Sequence, residues 1–575
     1  MRIEKIRNLL ELSNHPHQRV TSRMLDWLKN EIKEDSDPTK AKDLYPVSCT
    51  VLAVADSIHG DPDSICEMGT FIKRGTKGGC GITLEMSSLR PAGSPVSGTE
   101  AYASGPNSFL ESASADIGTI RRHGVYKNGA GCAYINHDHP DLLEWLGYSN
   151  SYGVSIQDRL GDRFNIPPVD FDGNANQRWI KKAIYVDDTL LDNPLLPEIM
   201  QSISRGRLFV AKKQWSADGE RLYSNICTEA LLPNRGTCSI NHVNLANITD
   251  IGDIVPAMEM AVMIGCEVRS LTVLPEDLYM APYEDCQIMV GVIGLANLLG
   301  RFGISYEQFV GDLTAELDRL EEMGTSQYLE SRMVAELSSR TLVSELVASY
   351  HMGGGIAKSY GISRAFTVAP TINSAFREPD IDGMAIAPEI APPVFNPKTF
   401  SVERRSGTNG TSVFQYPDYI ENAVDVGFET YFNLANQWQR LMNSTALSHA
   451  ISFNTWESQP IDESFIRRFM ASNLKSLYYR INPDQSTVDK SSIGVEGVSA
   501  ESLLGDLATG GNLESQSTAA EALANLAAIT ANAQPKATAS SAAPPLAKAA
   551  KPSESTGKAI GSAGDDPGYC QVCGG

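Results

Sequence analysis

Apolar residues recur on two different periods along this chain. Near the start, Ile6, Leu9 and Leu10, then Met24, Leu25, Trp27 and Leu28, fall on helix-like spacings and predict charged helices over residues 1–44. From Tyr45 the pattern changes. The run Tyr45-Pro46-Val47-Ser48-Cys49-Thr50-Val51-Leu52-Ala53-Val54-Ala55-Asp56-Ser57 predicts a buried strand leading into a turn. Farther on, Asn225-Ile226-Cys227-Thr228-Glu229 ahead of Ala230-Leu231-Leu232-Pro233 predicts a second strand. Side chains alternate along a strand, so Asn225, Cys227 and Glu229 are expected on one face, with Ile226 and Thr228 on the other. The segment Gly291–Leu299 reads as a packed helix, and residues 306–350 as charged, apolar-periodic scaffold helices. Strands and helices mixed through one long stretch predict an α/β protein of one large domain. From about residue 485 the composition shifts to Ala, Ser, Thr, Gly and Pro with few aromatics. That predicts a flexible tail, with patches of helix between Ala519 and Asn532 and no packed core. The expected division is a short helical segment (1–44), a large α/β domain (45–484) and a tail (485–575).

Composition narrows the class. With 42% hydrophobic and 20% charged residues among 575, the chain resembles an ordinary soluble enzyme. It shows no signal-peptide core and no apolar run long enough to span a bilayer, so a cytoplasmic location is expected. A net charge of −21 argues against a nucleic-acid partner held by a broad basic surface. Ten cysteines in so long a chain do not make a disulfide framework and are candidates for catalytic, metal-binding or plain core roles.

The chemistry concentrates around Cys227. Most free cysteines are inert core residues. A carboxylate two residues away, at Glu229, argues for function, because an acid is rarely buried unpaired beside an inert thiol. The C-terminal Cys570-Gln-Val-Cys573 is half a zinc site with no second pair nearby, so no metal site is assigned.

Asn225-x-Cys227-x-Glu229 before a Leu-Pro resembles the active-site strand of ribonucleotide reductase large (catalytic, alpha) subunits, and further motifs follow in that family's order. The resemblance implies that Cys227 carries a transient thiyl radical, that Glu229 handles the ribose 3′-hydroxyl proton and that Asn225 binds ribose hydroxyls. Ser48-Cys49 is similar to the family's first redox strand and Gly236-Thr237-Cys238-Ser239-Ile240-Asn241-His242 to its second, which implies Cys49 and Cys238 as the reducing pair and Ser48 as a phosphate contact. The Gly-rich stretch 78–110 resembles the approach to an effector site, with Asp56, Ser57 and Arg90 as contacts for ATP or deoxynucleotides. Arg121, Arg122, Lys127 and Asn128 correspond to the loop relaying effector identity. Pro370, Thr371, Ile372, Asn373 and Ser374 correspond to the substrate-phosphate loop. Tyr478-Tyr479 resembles the pair that relays a radical from a separate ferritin-like small (beta) subunit, and Cys570 and Cys573 resemble the shuttle dithiol that thioredoxin or glutaredoxin recharges. A linker of about 85 residues spans roughly 50 Å r.m.s., enough for such a shuttle.

The fold so implied is a ten-stranded α/β barrel of two five-stranded parallel halves, with a central loop carrying Cys227. The implied activity is that of a class I-like ribonucleoside-diphosphate reductase working as a homodimer, with no N-terminal ATP-binding domain. No cofactor is expected on the chain itself, the metal and radical residing in the partner subunit. Two readings compete: a cobalamin-dependent reductase of the same fold, which the tyrosine pair counts against, and an inactive nucleotide-binding paralogue, which the retained thiols count against.

Overall fold

The computed structural model describes residues 2–34, 45–120, 129–147, 179–335, 340–369, 379–406, 410–481 and 483. Their strands, in chain order, are β1 (Gln18–Val20), β2 (Cys49–Ala53), β3 (Gly81–Glu85), β4 (Gly131–Asn136), β5 (Ile180–Val186) and β6 (Leu208–Lys212). A hairpin region follows, β7 (Gln214–Trp215), β8 (Arg221–Ser224) and β9 (Leu231–Leu232), then β10 (Thr237–Cys238), β11 (Ile240–Asn244), β12 (Gln287–Ile293) and β13 (Arg364–Val368). The last are β14 (Ser401–Ser406), β15 (Gly410–Gln415), β16 (Ser448–Ile451), β17 (Thr455–Trp456), β18 (Ser476–Leu477) and β19 (Arg480–Ile481).

Two sheets dominate. The first has the order β10-β2-β3-β4-β5-β6-β18 and the second β1-β11-β12-β13-β16. Strands β2 to β6 run parallel, as do β11, β12, β13 and β16. These strands are Val- and Ile-rich and buried on both faces, as parallel strands covered by crossover helices must be. The helices Ile65–Lys77 and Pro106–Thr119 link successive strands of the first sheet, and Ile254–Leu271, Leu342–Ser359 and Ala423–Ser444 those of the second. One buried cluster holds the helices against the outer faces. A second draws on both sheets at once, joining Cys49, Cys132 and Phe209 to Ile240, Met289, Ile293 and Ala369. The inner faces therefore enclose a common interior, and the α/β class with a curled, mostly parallel sheet is as expected.

The halves differ from the expected five and five. The first sheet adds an antiparallel strand at each edge, β10 and β18, only two residues long. The second has four parallel strands and takes β1 from the N-terminal segment as an antiparallel edge. Around β1, the helices Arg2–Ser13 and Ser22–Glu34 pack Ile6, Leu9, Met24 and Leu28 against Ile264 and Val268. Gly291–Ile293 is strand, not helix. The helix starts only after Gly294, whose φ of 78° and backbone packed against Ala246 leave no room for a Cβ. No described helix is long and apolar enough to cross a membrane. The expectations for Arg121, Arg122, Lys127, Asn128, for Pro370, Thr371, Ile372, Asn373, Ser374, and for the tail with Cys570 and Cys573 lie outside the described residues.

Candidate active site

Asn225 to Ala230 form the tip of the β8–β9 hairpin, where Tyr223 pairs with Leu232 and Ser224 with Leu231. The tip is a turn and not the strand that alternation predicts. Thr228 N–H donates to the Asn225 carbonyl (3.1 Å), and Thr228 takes φ 66°, the left-handed region that β-branched residues avoid. The Ser476 hydroxyl bonds Thr228 Oγ1 (2.9 Å), and Asn225 Oδ1 accepts from Ala230 N–H (3.1 Å), so the strained turn is held from both sides.

This turn brings the three polar groups together by folding back. Asn225 Nδ2 donates to Glu229 Oε1 (2.7 Å) and to Cys49 Sγ (3.3 Å). Asn225, Glu229, Cys49 and Cys238 are fully buried and Cys227 is 1% exposed. Cys49 and Cys238 are directly opposed residues of the antiparallel β2–β10 pair. Such residues sit about 4.5–5.5 Å apart at Cα, a separation a disulfide can bridge. Burial, and then the neighbouring Cys49, push the Cys238 thiol well above its ordinary value, so it keeps its proton. Ser48, beside the pair, is buried with its N–H on the Cys238 carbonyl (2.8 Å).

Three supporting residues carry no sequence signal. The Ser452 hydroxyl donates to the Cys227 carbonyl and lies 3.4 Å from Glu229 Oε2. Thr367 Oγ1 donates to the Glu229 carbonyl (3.0 Å), and the Leu231 N–H donates to His449 Nδ1 (3.1 Å). They come from β13, from β16 and from the residue just after it, where apolar runs predict strands and nothing about what those strands face. Tyr134 was also missed: its hydroxyl donates to the Asn225 carbonyl (3.1 Å), and its ring stacks on Tyr185 at 4.5 Å.

Tyr478 and Tyr479 are in ring contact at 3.9 Å, with Phe209 against both at 4.8 and 5.3 Å. Tyr478 shares the interior cluster with Cys227. Away from this centre, Arg90 Nε pairs with Asp56 Oδ2 at 2.8 Å, both about a third exposed, while the Ser57 hydroxyl bonds the His59 carbonyl. Among the described residues no group of three or more His, Cys, Asp or Glu is placed to hold a metal.

Comparison with known proteins gives this geometry a context. Residues 47–159 match the family described as ribonucleotide reductase, barrel domain. The vitamin B12-dependent ribonucleoside-diphosphate reductase of Thermoplasma acidophilum is 25% identical over 309 residues, half of this chain and 38% of that protein. A protein of the same name from Mycobacterium tuberculosis is 25% identical over 319 residues, half of this chain and 43% of its own length. The vitamin B12-dependent ribonucleotide reductase of Streptomyces avermitilis is 34% identical over 99 residues, 17% of this chain and 10% of that protein. The chain thus spans less than half the length of these curated relatives. In fold it is similar to the Actinobacillus ureae class Id ribonucleotide reductase alpha subunit, with a TM-score of 0.53 at 15% identity, over 83% of this chain and 93% of that one. These relatives overturn one expectation. The tyrosine pair argued for a radical cofactor held only in a partner subunit, whereas these curated relatives are named as vitamin B12-dependent.

Proposed function

We propose that this chain, whose residues 47–159 match the ribonucleotide reductase barrel and which is similar to vitamin B12-dependent reductases, is a catalytic subunit that reduces ribonucleotides to 2′-deoxyribonucleotides by a cobalamin-dependent route. The observation that carries the reading is the Asn225 amide bridging Glu229 and Cys49 while Cys49 lies opposite Cys238. A purely structural cluster has no need of three thiols around a buried carboxylate.

In this reading Cys227, as a thiyl radical, takes a hydrogen atom from the ribose. An S–H bond forms as a C–H bond of similar strength breaks, so the step is nearly thermoneutral and reversible. Glu229 accepts the 3′-hydroxyl proton, and its alignment comes from the Asn225 amide. The 2′-hydroxyl leaves as water while Cys49 and Cys238 give up two electrons and two protons and join as a disulfide. Cys227 then returns the hydrogen to the sugar. A dry interior suits this sequence, since water is excluded from the radical and burial keeps the Cys238 thiol protonated.

The cobalamin reading rests on the relatives' names. Cobalt arrives already held by its corrin ring, so no cluster of protein ligands is required of the chain. The described residues do not, as they stand, fit a corrin beside Cys227, which is 1% exposed in a cluster with Phe209 and Tyr478. One observation favours the competing route, a radical delivered by a separate small subunit: the contact of Tyr478 with Tyr479 at 3.9 Å. The experiment that separates them is ribonucleotide reduction by the purified chain with dithiothreitol, with and without adenosylcobalamin. Deoxynucleotide formation dependent on the cofactor is expected. Formation only with a second protein chain and no cobalamin would overturn the cofactor assignment.

A further inference from the structure

His242 is a fully buried histidine with no hydrogen-bond partner at either ring nitrogen among the described residues. It lies on β11 directly opposite Gly291 of β12. A Cβ on Gly291 would fall 2.9 Å from His242 Cδ2 and 3.2 Å from Nε2, so the ring lies over the glycine and uses the space its missing side chain leaves. The side on which this happens follows from strand alternation. Met289 and Ile293, two residues either way from Gly291, and Ile240, two before His242, all belong to the interior cluster that contains Cys49, Cys227 and Cys238. His242 therefore faces the barrel interior. The same Cβ would lie 3.5 Å from the Thr367 carbonyl, and Thr367 Oγ1 holds the Glu229 carbonyl at 3.0 Å. The imidazole thus stands level with the catalytic turn, two strands of about 4.8 Å spacing away from the strand that supports it. That separation is within the length of one nucleotide.

The bland alternative is a packing residue. A buried imidazole with two unmet nitrogens costs stability that an apolar side chain of similar volume would not, and buried polar groups in native proteins are as a rule paired. Burial also holds the ring down to about 4, so it is neutral at pH 7, one nitrogen a donor and the other an acceptor. A neutral ring suits an uncharged group that both gives and takes a hydrogen bond, and it is poorly suited to a phosphate.

We infer that His242 is a substrate-positioning residue that hydrogen-bonds an uncharged group of the bound ribonucleotide, a sugar hydroxyl or a base edge, inside the barrel. This rests on the reading of the site as a ribonucleotide site. The test compares His242→Gln, which keeps a donor and an acceptor, with His242→Met, which keeps volume and neither. Equilibrium binding of ADP, CDP, GDP and UDP to the full chain is measured without any radical source, beside a thermal melt. The Met variant is expected to bind the preferred diphosphate about tenfold more weakly, with the Gln variant within about threefold of wild type and neither variant melting below the wild type. Equal affinity of the Met variant and wild type would overturn the inference, as would equal losses in Met and Gln. If wild type binds none of the four, the ribonucleotide reading itself fails, and the two failures are told apart.

Discussion

At the residue scale, the site rests on an amide that serves two partners. Asn225 holds Glu229 and touches Cys49, so its removal is expected to affect both the proton step and the reducing thiol. Cys227→Ser should abolish deoxynucleotide formation with ribonucleotide binding within about twofold, because a hydroxyl is close in size and cannot carry the radical; turnover in a sequence-verified Ser variant would remove Cys227 from its role. Glu229→Gln should bind substrate yet lose about 10²–10⁴ in rate, since the amide cannot take a proton. Wild-type rates in that variant would move the base elsewhere. The buried histidines make a prediction about stability. Burial lowers His242 and His351 to about 4, from an ordinary value near 6.5. Between those values the unfolded chain takes up protons that the folded chain does not. Stability should therefore fall as pH drops from about 6.5 to 4, by at most about 3 kcal/mol per histidine. Urea unfolding at pH 7 and pH 5 reads this, and a midpoint unchanged between them would contradict it.

At the scale of elements, much of what holds the site was legible in the chain. The apolar run after Tyr45 is β2, the residues flanking Cys238 are β10 and β11, and the Asn225 motif marks the right hairpin. What failed was the geometry of its tip. A period-two pattern says strand, and nothing in it reports that Thr228 turns left-handed and folds Glu229 back onto Asn225. Ser452 and Thr367 were invisible for a related reason, because hydroxyls on or just beyond apolar strands gain meaning only from what lies across the barrel. The start of the helix Pro106–Thr119 is a further element-scale constraint. Gly105 sits at φ 80°, and a Cβ there would collide with Asp141 Oδ2 and lie 2.9 Å from Ala92 N. Gly105→Ala should destabilise by about 2 kcal/mol or more, read as a lowered denaturant midpoint. At the edge of the first sheet, burial pushes Lys475 down to about 7, while its Nζ bonds Ser448 Oγ (2.9 Å) and the His449 carbonyl (2.8 Å). Its folded value is depressed below the usual value near 10.4, so stability should rise with pH between about 7 and 10. Lys475→Met should flatten that slope between pH 7 and 9 by up to about 2 kcal/mol, and an unchanged slope would contradict the assignment.

At the scale of the whole molecule, two sheets of unequal make-up enclose one interior, and Cys49, Cys238 and the turn carrying Asn225, Cys227 and Glu229 come together from separate parts of the chain. Motif order along the sequence foretold that convergence. It did not foretell β1, because a three-residue edge strand of mixed polarity carries no periodic signal. Nor could a pair of adjacent tyrosines decide the radical source: Tyr478 and Tyr479 are in contact, yet the curated relatives are named for B12. The central claim is that Cys49 and Cys238 supply the electrons for a reduction initiated at Cys227. The most direct measurement is a single-turnover assay of the pre-reduced full chain with adenosylcobalamin and a ribonucleoside diphosphate, in the absence of added thiol. Deoxynucleotide should form in an amount close to one per active chain, with a new Cys49–Cys238 disulfide in equal amount by peptide mapping. Deoxynucleotide formed while both cysteines remain as thiols would contradict the account.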